Sequence, residues 1–201
     1  LFPYTTLFRS DLRIESNNIF SPYQIHSDSV IFVTENEKGL GAYSTENAIY
    51  GDACITDKKD ILLITSFADC IPVLFYDPIE NIIASVHSGW KSTKLNICLK
   101  TINLLIEHGS LIENIYCAIG PGIKKCCYSV GDEFENIFNI SDNPELFEKK
   151  DNKLYFDLSK YVYKSIINMG ILKEKIDYSE LCTSCSMSPR FFSARRDGAD
   201  N

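Results

Sequence analysis

Histidine, tryptophan and methionine are scarce in this chain of 201 residues, with three, one and two copies respectively. With so few imidazoles, a multinuclear copper cluster built on many histidines is excluded. Basic residues are in the minority, and the formal net charge of −7 argues against a protein that coats nucleic acid. A local basic patch still suffices for a phosphate group. No apolar run approaches the roughly 20 residues of a membrane-spanning helix. What is present, 45% apolar and 23% charged residues, is ordinary globular composition at a length that fits one domain with a sizeable core.

Cysteine is the exception to this scarcity. Eight are present: Cys54, Cys70, Cys98, Cys117, Cys126, Cys127, Cys182 and Cys185. Several lie inside apolar runs, where a free thiol packs as a small hydrophobe. The chain is also larger than the small domains that depend on disulfides. Free thiols in a reducing cytoplasm are the expectation.

Residues 1–10, LFPYTTLFRS, resemble the translation of a sequencing adaptor. They are set aside, leaving residues 11–201 as a single domain expected to be truncated at both ends. Within it, Ile25–Val33, Asp60–Thr65, Ile71–Asp77, Ile82–His87 and Ile115–Ile119 read as strands. Helices are expected over Thr93–His108, capped by Ser92 or Thr93, over Asp132–Phe138, and over Asp157–Met169, capped by Asp157. The order predicts an α/β (α+β) fold, a mixed β-sheet flanked by helices.

The chemistry concentrates in QIHSDSV around His26, FADCIPVLFYDP around Cys70 and ASVHSGW around His87. Pro78 to Asn81 makes a four-residue turn between two apolar runs, so a hairpin is expected in which Asp77 faces Ile82 and Pro72 faces His87. Cys70 then shares a face with Pro72 and lies diagonal to His87, roughly 7–8 Å away at the backbone. Side chains that reach inward from there can share one ion at about 2.0–2.3 Å. His26 supplies a third donor. Two imidazoles and a thiolate suit zinc and leave a fourth position for water or substrate; copper is also compatible with the donor set. Asp69, beside Cys70, reads either as a group that orients a ligand or moves a proton, or as a strand-end cap.

Taken together, FADCIPVLF, SVHSGWKST, AIGPGIKKCCYSVGDEF, YFDLSKYV and CTSCSMSPRFFSARRDG resemble the laccase-domain family, whose members are also called polyphenol oxidases, purine nucleoside phosphorylases or peptidoglycan editing factors. The resemblance runs from about Gln24 to Gly198. It implies a zinc site of His26, Cys70 and His87, phosphorolysis of adenosine, inosine, guanosine and S-methyl-5'-thioadenosine, and adenosine deamination as a further activity. Three departures stand out. The Arg-Gly-Gly and Ser-Leu-Asn segments expected toward the N-terminus are absent. The usual HAGWRG reads HSGWKS, with Lys91 and Ser92. The Gly-Arg that follows RRDG is missing.

Phosphorolysis needs a grip on an anion, and Arg195 and Arg196 are the best phosphate ligands in the sequence. The partners expected are thus a purine nucleoside and phosphate, with no nucleic acid or membrane; the oligomeric state is left open. The usual zinc-deaminase signature, H-x-E with P-C-x-x-C, is absent. Alternatives are a Cys–His hydrolase or amidase with Cys70 as nucleophile and His87 as base, a copper-dependent polyphenol oxidase, or a metal-stabilised binding module. Cys182-x-x-Cys185 reads first as unligated thiols; half of a structural zinc site with Cys126 and Cys127, or a redox pair, are the other readings. Trp90 is expected to pack beside the site, and His108 to end its helix.

Overall fold

A computed structural model describes residues 15–42, 44–187 and 191–198. The adaptor-like residues 1–10 lie outside that set. In chain order the strands and helices are β1 (Ile19–Phe20), β2 (Val30–Phe32), β3 (Ala53–Thr56), β4 (Leu62–Leu63), β5 (Ile71–Asp77), β6 (Ile82–Ser88), α1 (Trp90–Lys94), α2 (Ile97–Glu107), β7 (Tyr116–Ile119), β8 (Ser129–Val130), α3 (Glu133–Ile137), β9 (Phe147–Lys150), β10 (Lys153–Phe156), α4 (Leu158–Asn168), β11 (Ile176–Tyr178) and α5 (Ala194–Asp197).

The fold is α+β, built on a mixed six-stranded sheet in the order β11-β7-β5-β6-β3-β2. The outer pairs β2/β3 and β7/β11 are parallel and the inner ones antiparallel. Its centre is the β5–β6 hairpin, whose register matches the expectation: Asp77 pairs with Ile82 and Pro72 with His87. Ile71, Val73 and Phe75 alternate inward from β5 and are buried. Helix α2 packs on the sheet through Ile97, Cys98, Ile102 and Leu105. A smaller sheet, β8-β10-β9, lies beside an aromatic cluster of Phe134, Phe138, Phe156 and Tyr161.

Three expectations are corrected. The strand read over Ile25–Val33 is extended only at β2, because His26 turns the chain with φ of 59°. The strand read over Asp60–Thr65 is the two-residue β4, half-buried and paired with β1 outside the main sheet. The helix read from Thr93 is broken in two by Asn96, whose φ of 61° is left-handed, a conformation that asparagine tolerates. The break resets the helical phase, so Leu95, Leu99 and Ile106 are exposed instead of facing the core. Ser92 and Thr93 are buried inside α1 and cap nothing; Gly89 occupies the N-cap position. Asp157 caps α4 as expected, accepting the backbone N–H of Lys160. His108 ends α2 and stacks on Phe32 with ring centroids 3.9 Å apart.

Candidate metal centre

The β5–β6 hairpin places Cys70 just before β5 and His87 near the end of β6, on one side of the sheet. The turn that precedes β2 brings His26 to them. One donor atom from each of His26, Cys70 and His87 lies within 4.8 Å of the other two. Cys70 Sγ is 3.8 Å from His26 Nε2, and the two imidazoles meet edge to face with centroids 4.8 Å apart. A sulfur and a nitrogen bound to one zinc at about 2.3 and 2.0–2.1 Å would lie about 3.6 Å apart at a tetrahedral angle. The donor set and its spacing therefore fit a single zinc ion. His87 is buried, Cys70 half-buried and His26 exposed, so the cluster opens to solvent on the His26 side.

Asp52 organises these donors, and the sequence reading missed it. Its carboxylate is fully buried at the head of β3. It accepts the backbone N–H groups of Ile25, His26 and Ser27 and the Ser27 hydroxyl. It also accepts Nδ1–H of His87 at 2.8 Å. One carboxylate therefore holds His26 in its left-handed turn and fixes the His87 tautomer with Nε2 free for a ligand. Burial alone would raise the Asp52 carboxyl, but the bonds from His87, Ser27 and His26 outweigh it and hold the group down at about 2. No spacing rule links an acid in GDACIT to histidines on two other segments; only its position heading an apolar run hinted at a buried charge in need of partners.

Burial pushes the Cys70 thiol up to about 12, with the negative charges of Asp69 and Asp52 adding to it. Without a cation the sulfur stays protonated. His26 is pushed below its usual value by burial and by its neighbour His87. Gly89 closes the floor: a Cβ there would lie 2.8 Å from His26 Cδ2 and 3.1 Å from Cys70 Sγ. The glycine of the HSGW motif is thus required by close approach and not by an unusual φ, which is −74°.

Asp69 is placed beside the cluster, but its carboxylate faces the other way. It accepts the Thr183 and Ser193 hydroxyls and the backbone N–H of Arg195. The strand-end reading is closer to what is found: Asp69 ties the C-terminal segment to the base of β5. The two arginines part company. Arg195 donates from Nη1 to Ser129, lies over the Tyr128 ring and lines an open cleft of about 450 Å³ with Trp90, Tyr128, Phe134 and Lys153. Arg196 donates to the carbonyls of Thr183, Ser184 and Phe191 and to Asp197, so its guanidinium is engaged in holding its own segment. Arg195 lines that cleft, and Arg196 is not among its lining residues. Trp90, on the cleft, follows directly on Gly89, which packs against His26 and Cys70.

Cys126, Cys127, Cys182 and Cys185 also converge, with sulfur atoms within 4.8 Å of one another. Among the described residues no helix is long and apolar enough to cross a membrane.

Comparison with known proteins gives a consistent picture. The family model described as multi-copper polyphenol oxidoreductase laccase matches residues 5–200. A purine nucleoside phosphorylase of Clostridium acetobutylicum is 40% identical over 179 residues, covering 87% of this chain and 70% of its own length. The purine nucleoside phosphorylase YlmD of Bacillus subtilis is 33% identical; the same share of this chain spans 64% of that relative, just under two thirds. An adenosine deaminase named RL5, from an unknown prokaryotic organism, is 29% identical over 94% of this chain and 74% of its own. The crystal structure of the Bacillus licheniformis protein YfiH superposes with a TM-score of 0.91 at 31% identity, over 96% of this chain and 75% of that one.

Proposed function

Because the chain belongs to the multi-copper polyphenol oxidoreductase laccase family, we propose that it is a zinc-dependent purine nucleoside phosphorylase with adenosine deamination as a second activity. The observation that carries this reading is the donor cluster of His26, Cys70 and His87 with Asp52 behind it. The names of the relatives point to purine nucleosides with phosphate, and to adenosine for the second activity; adenosine, inosine, guanosine and S-methyl-5'-thioadenosine are the nucleosides that the family resemblance implies.

In this reading His26, Cys70 and His87 hold the ion and leave one position open. Zinc bound there would act as a Lewis acid and keep Cys70 as thiolate. Asp52 holds His87 in the tautomer that presents Nε2. Asp69 positions Arg195 through its backbone N–H. Arg195 and Lys153, both on the cleft, offer the positive charge a phosphate needs, and Trp90 and Tyr128 offer faces for a planar base. Phosphorolysis joins a phosphate oxygen to the sugar carbon as the bond to the purine breaks. Close placement of anion and nucleoside is therefore the main task of these side chains.

Zinc is preferred to copper because one thiolate and two imidazoles with an open fourth position is a common zinc arrangement. The chain's three histidines also fall short of a multinuclear copper cluster. The Cys–His hydrolase reading is not favoured. A thiol pushed up to about 12 by burial carries little of the thiolate that a nucleophile needs.

The test is release of free purine base from the four nucleosides with and without phosphate, on protein of measured zinc content. Phosphate-dependent release is expected. Release at the same rate without phosphate would remove phosphorolysis from the reading.

A further inference from the structure

The four converging cysteines take no part in the function proposed above. Cys126 and Cys127 sit on the turn after β7, closed by the Cys127 N–H donating to the Lys124 carbonyl. Cys182 and Cys185 sit on the turn after β11, closed by the Ser186 N–H donating to the Cys182 carbonyl. The two turns are joined by a bridge between Gly122 and Cys182. All four thiols are free, and Cys126 Sγ lies 3.6 Å from Cys185 Sγ. Four sulfurs around one zinc at about 2.3 Å lie about 3.8 Å apart at tetrahedral angles. We propose that Cys126, Cys127, Cys182 and Cys185 form a second, structural zinc site closed entirely by protein sulfur.

One further feature of the surroundings supports it. Cations flank the cluster. The Lys124 ammonium is buried against Ser159, Tyr178 and the Ser179 carbonyl. The Arg196 guanidinium donates to the carbonyls of Thr183 and Ser184, inside the C-x-x-C turn itself. Binding replaces the S–H protons with Zn–S bonds and releases them, leaving a site of charge −2 beside the buried Lys124 ammonium, while the Arg196 charge is already paired with Asp197. A disulfide between Cys126 and Cys185 would use one pair and leave no role for the convergence of the other two.

The tetrad also has a consequence for the cleft. Arg196 ties the C-x-x-C turn to α5, and α5 carries Arg195. Zinc in the tetrad therefore braces the segment that delivers Arg195 to the cleft.

The test uses the full chain with Cys70→Ala, which removes the first centre, so its result does not depend on phosphorolysis. Purified under reducing conditions, this variant is expected to retain one zinc per chain by elemental analysis, against two in the unmutated protein. Replacing that metal with Co²⁺ should give intense visible bands with thiolate-to-metal charge transfer. Adding Cys185→Ser should weaken metal binding at least tenfold. Should that variant fail to fold, alkylation of the Cys70→Ala protein decides: four thiols should become reactive only after chelation. A folded, metal-free Cys70→Ala protein whose thiols react at the same rate with and without chelator would overturn the proposal. So would recovery of a Cys126–Cys185 disulfide from protein prepared without reductant.

Discussion

The two cysteine-containing clusters differ in donor number and in what surrounds them. The first takes three donors of two kinds from the residue before β5, from β6 and from the turn before β2, and a buried carboxylate orients it. The second takes four sulfurs from two loops, with the buried Lys124 ammonium beside it. Three protein ligands leave a position where substrate chemistry can happen; four leave none and can only brace. Cys126, Cys182 and Cys185 line a cleft of their own, of about 380 Å³, and the tetrad is tied to the Arg195 cleft through Arg196 and Arg195.

The sharpest way to break this division is Cys70→Ala. It should abolish phosphate-dependent base release while one zinc stays bound; loss of both metals together would mean that the clusters are not independent. Asp52→Asn should be next in size. It keeps the shape of the side chain but not the charge that fixes His87 and the His26 turn. About a 10- to 100-fold loss of zinc affinity at the first centre is expected, measured by competition with a chelator, with the tetrad unaffected. An unchanged affinity would show that Asp52 does not orient the ligands.

In the proposed function Arg195 binds phosphate and Arg196 braces its own segment, within one turn of chain. Arg195→Ala should raise KM for phosphate about tenfold, the cost of one charge-assisted hydrogen bond of roughly 1.5 kcal/mol. Arg196→Ala should instead lower Tm by a few degrees, as the carbonyls of Thr183, Ser184 and Phe191 lose their donor. A reversal of the two effects would contradict their assignment. Gly89→Ala is the mildest test: the added methyl should push the His26 ring aside and weaken zinc at the first centre several-fold, without touching the tetrad.

Much of this was legible in the sequence, and the reasons are local. The β5–β6 register followed from a four-residue turn between two apolar runs, and with it the common side of Cys70 and His87. Asp157 announced α4, because an N-cap acts within one turn of its own helix. What could not be read depended on contacts between distant segments. His26 faces Cys70 from a turn, not a strand, because Asp52, 26 residues on, captures its backbone N–H. Asp69 looked like a partner for the adjacent Cys70, yet its hydrogen bonds go to Thr183, Ser193 and Arg195, more than a hundred residues away. Cys126 and Cys127 with Cys182 and Cys185 stood in the sequence only as a second reading, after unligated thiols; their convergence depends on β7 and β11 lying side by side at the sheet edge.

The central claim is that a zinc ion held by His26, Cys70 and His87 is needed for phosphorolysis of purine nucleosides. It is tested most directly by stripping the protein with a chelator, assaying base release in phosphate, and then restoring zinc in measured amounts. The rate should fall to background on stripping and return with zinc, in proportion to occupancy of the first centre. Full activity in folded protein shown to be metal-free would contradict it.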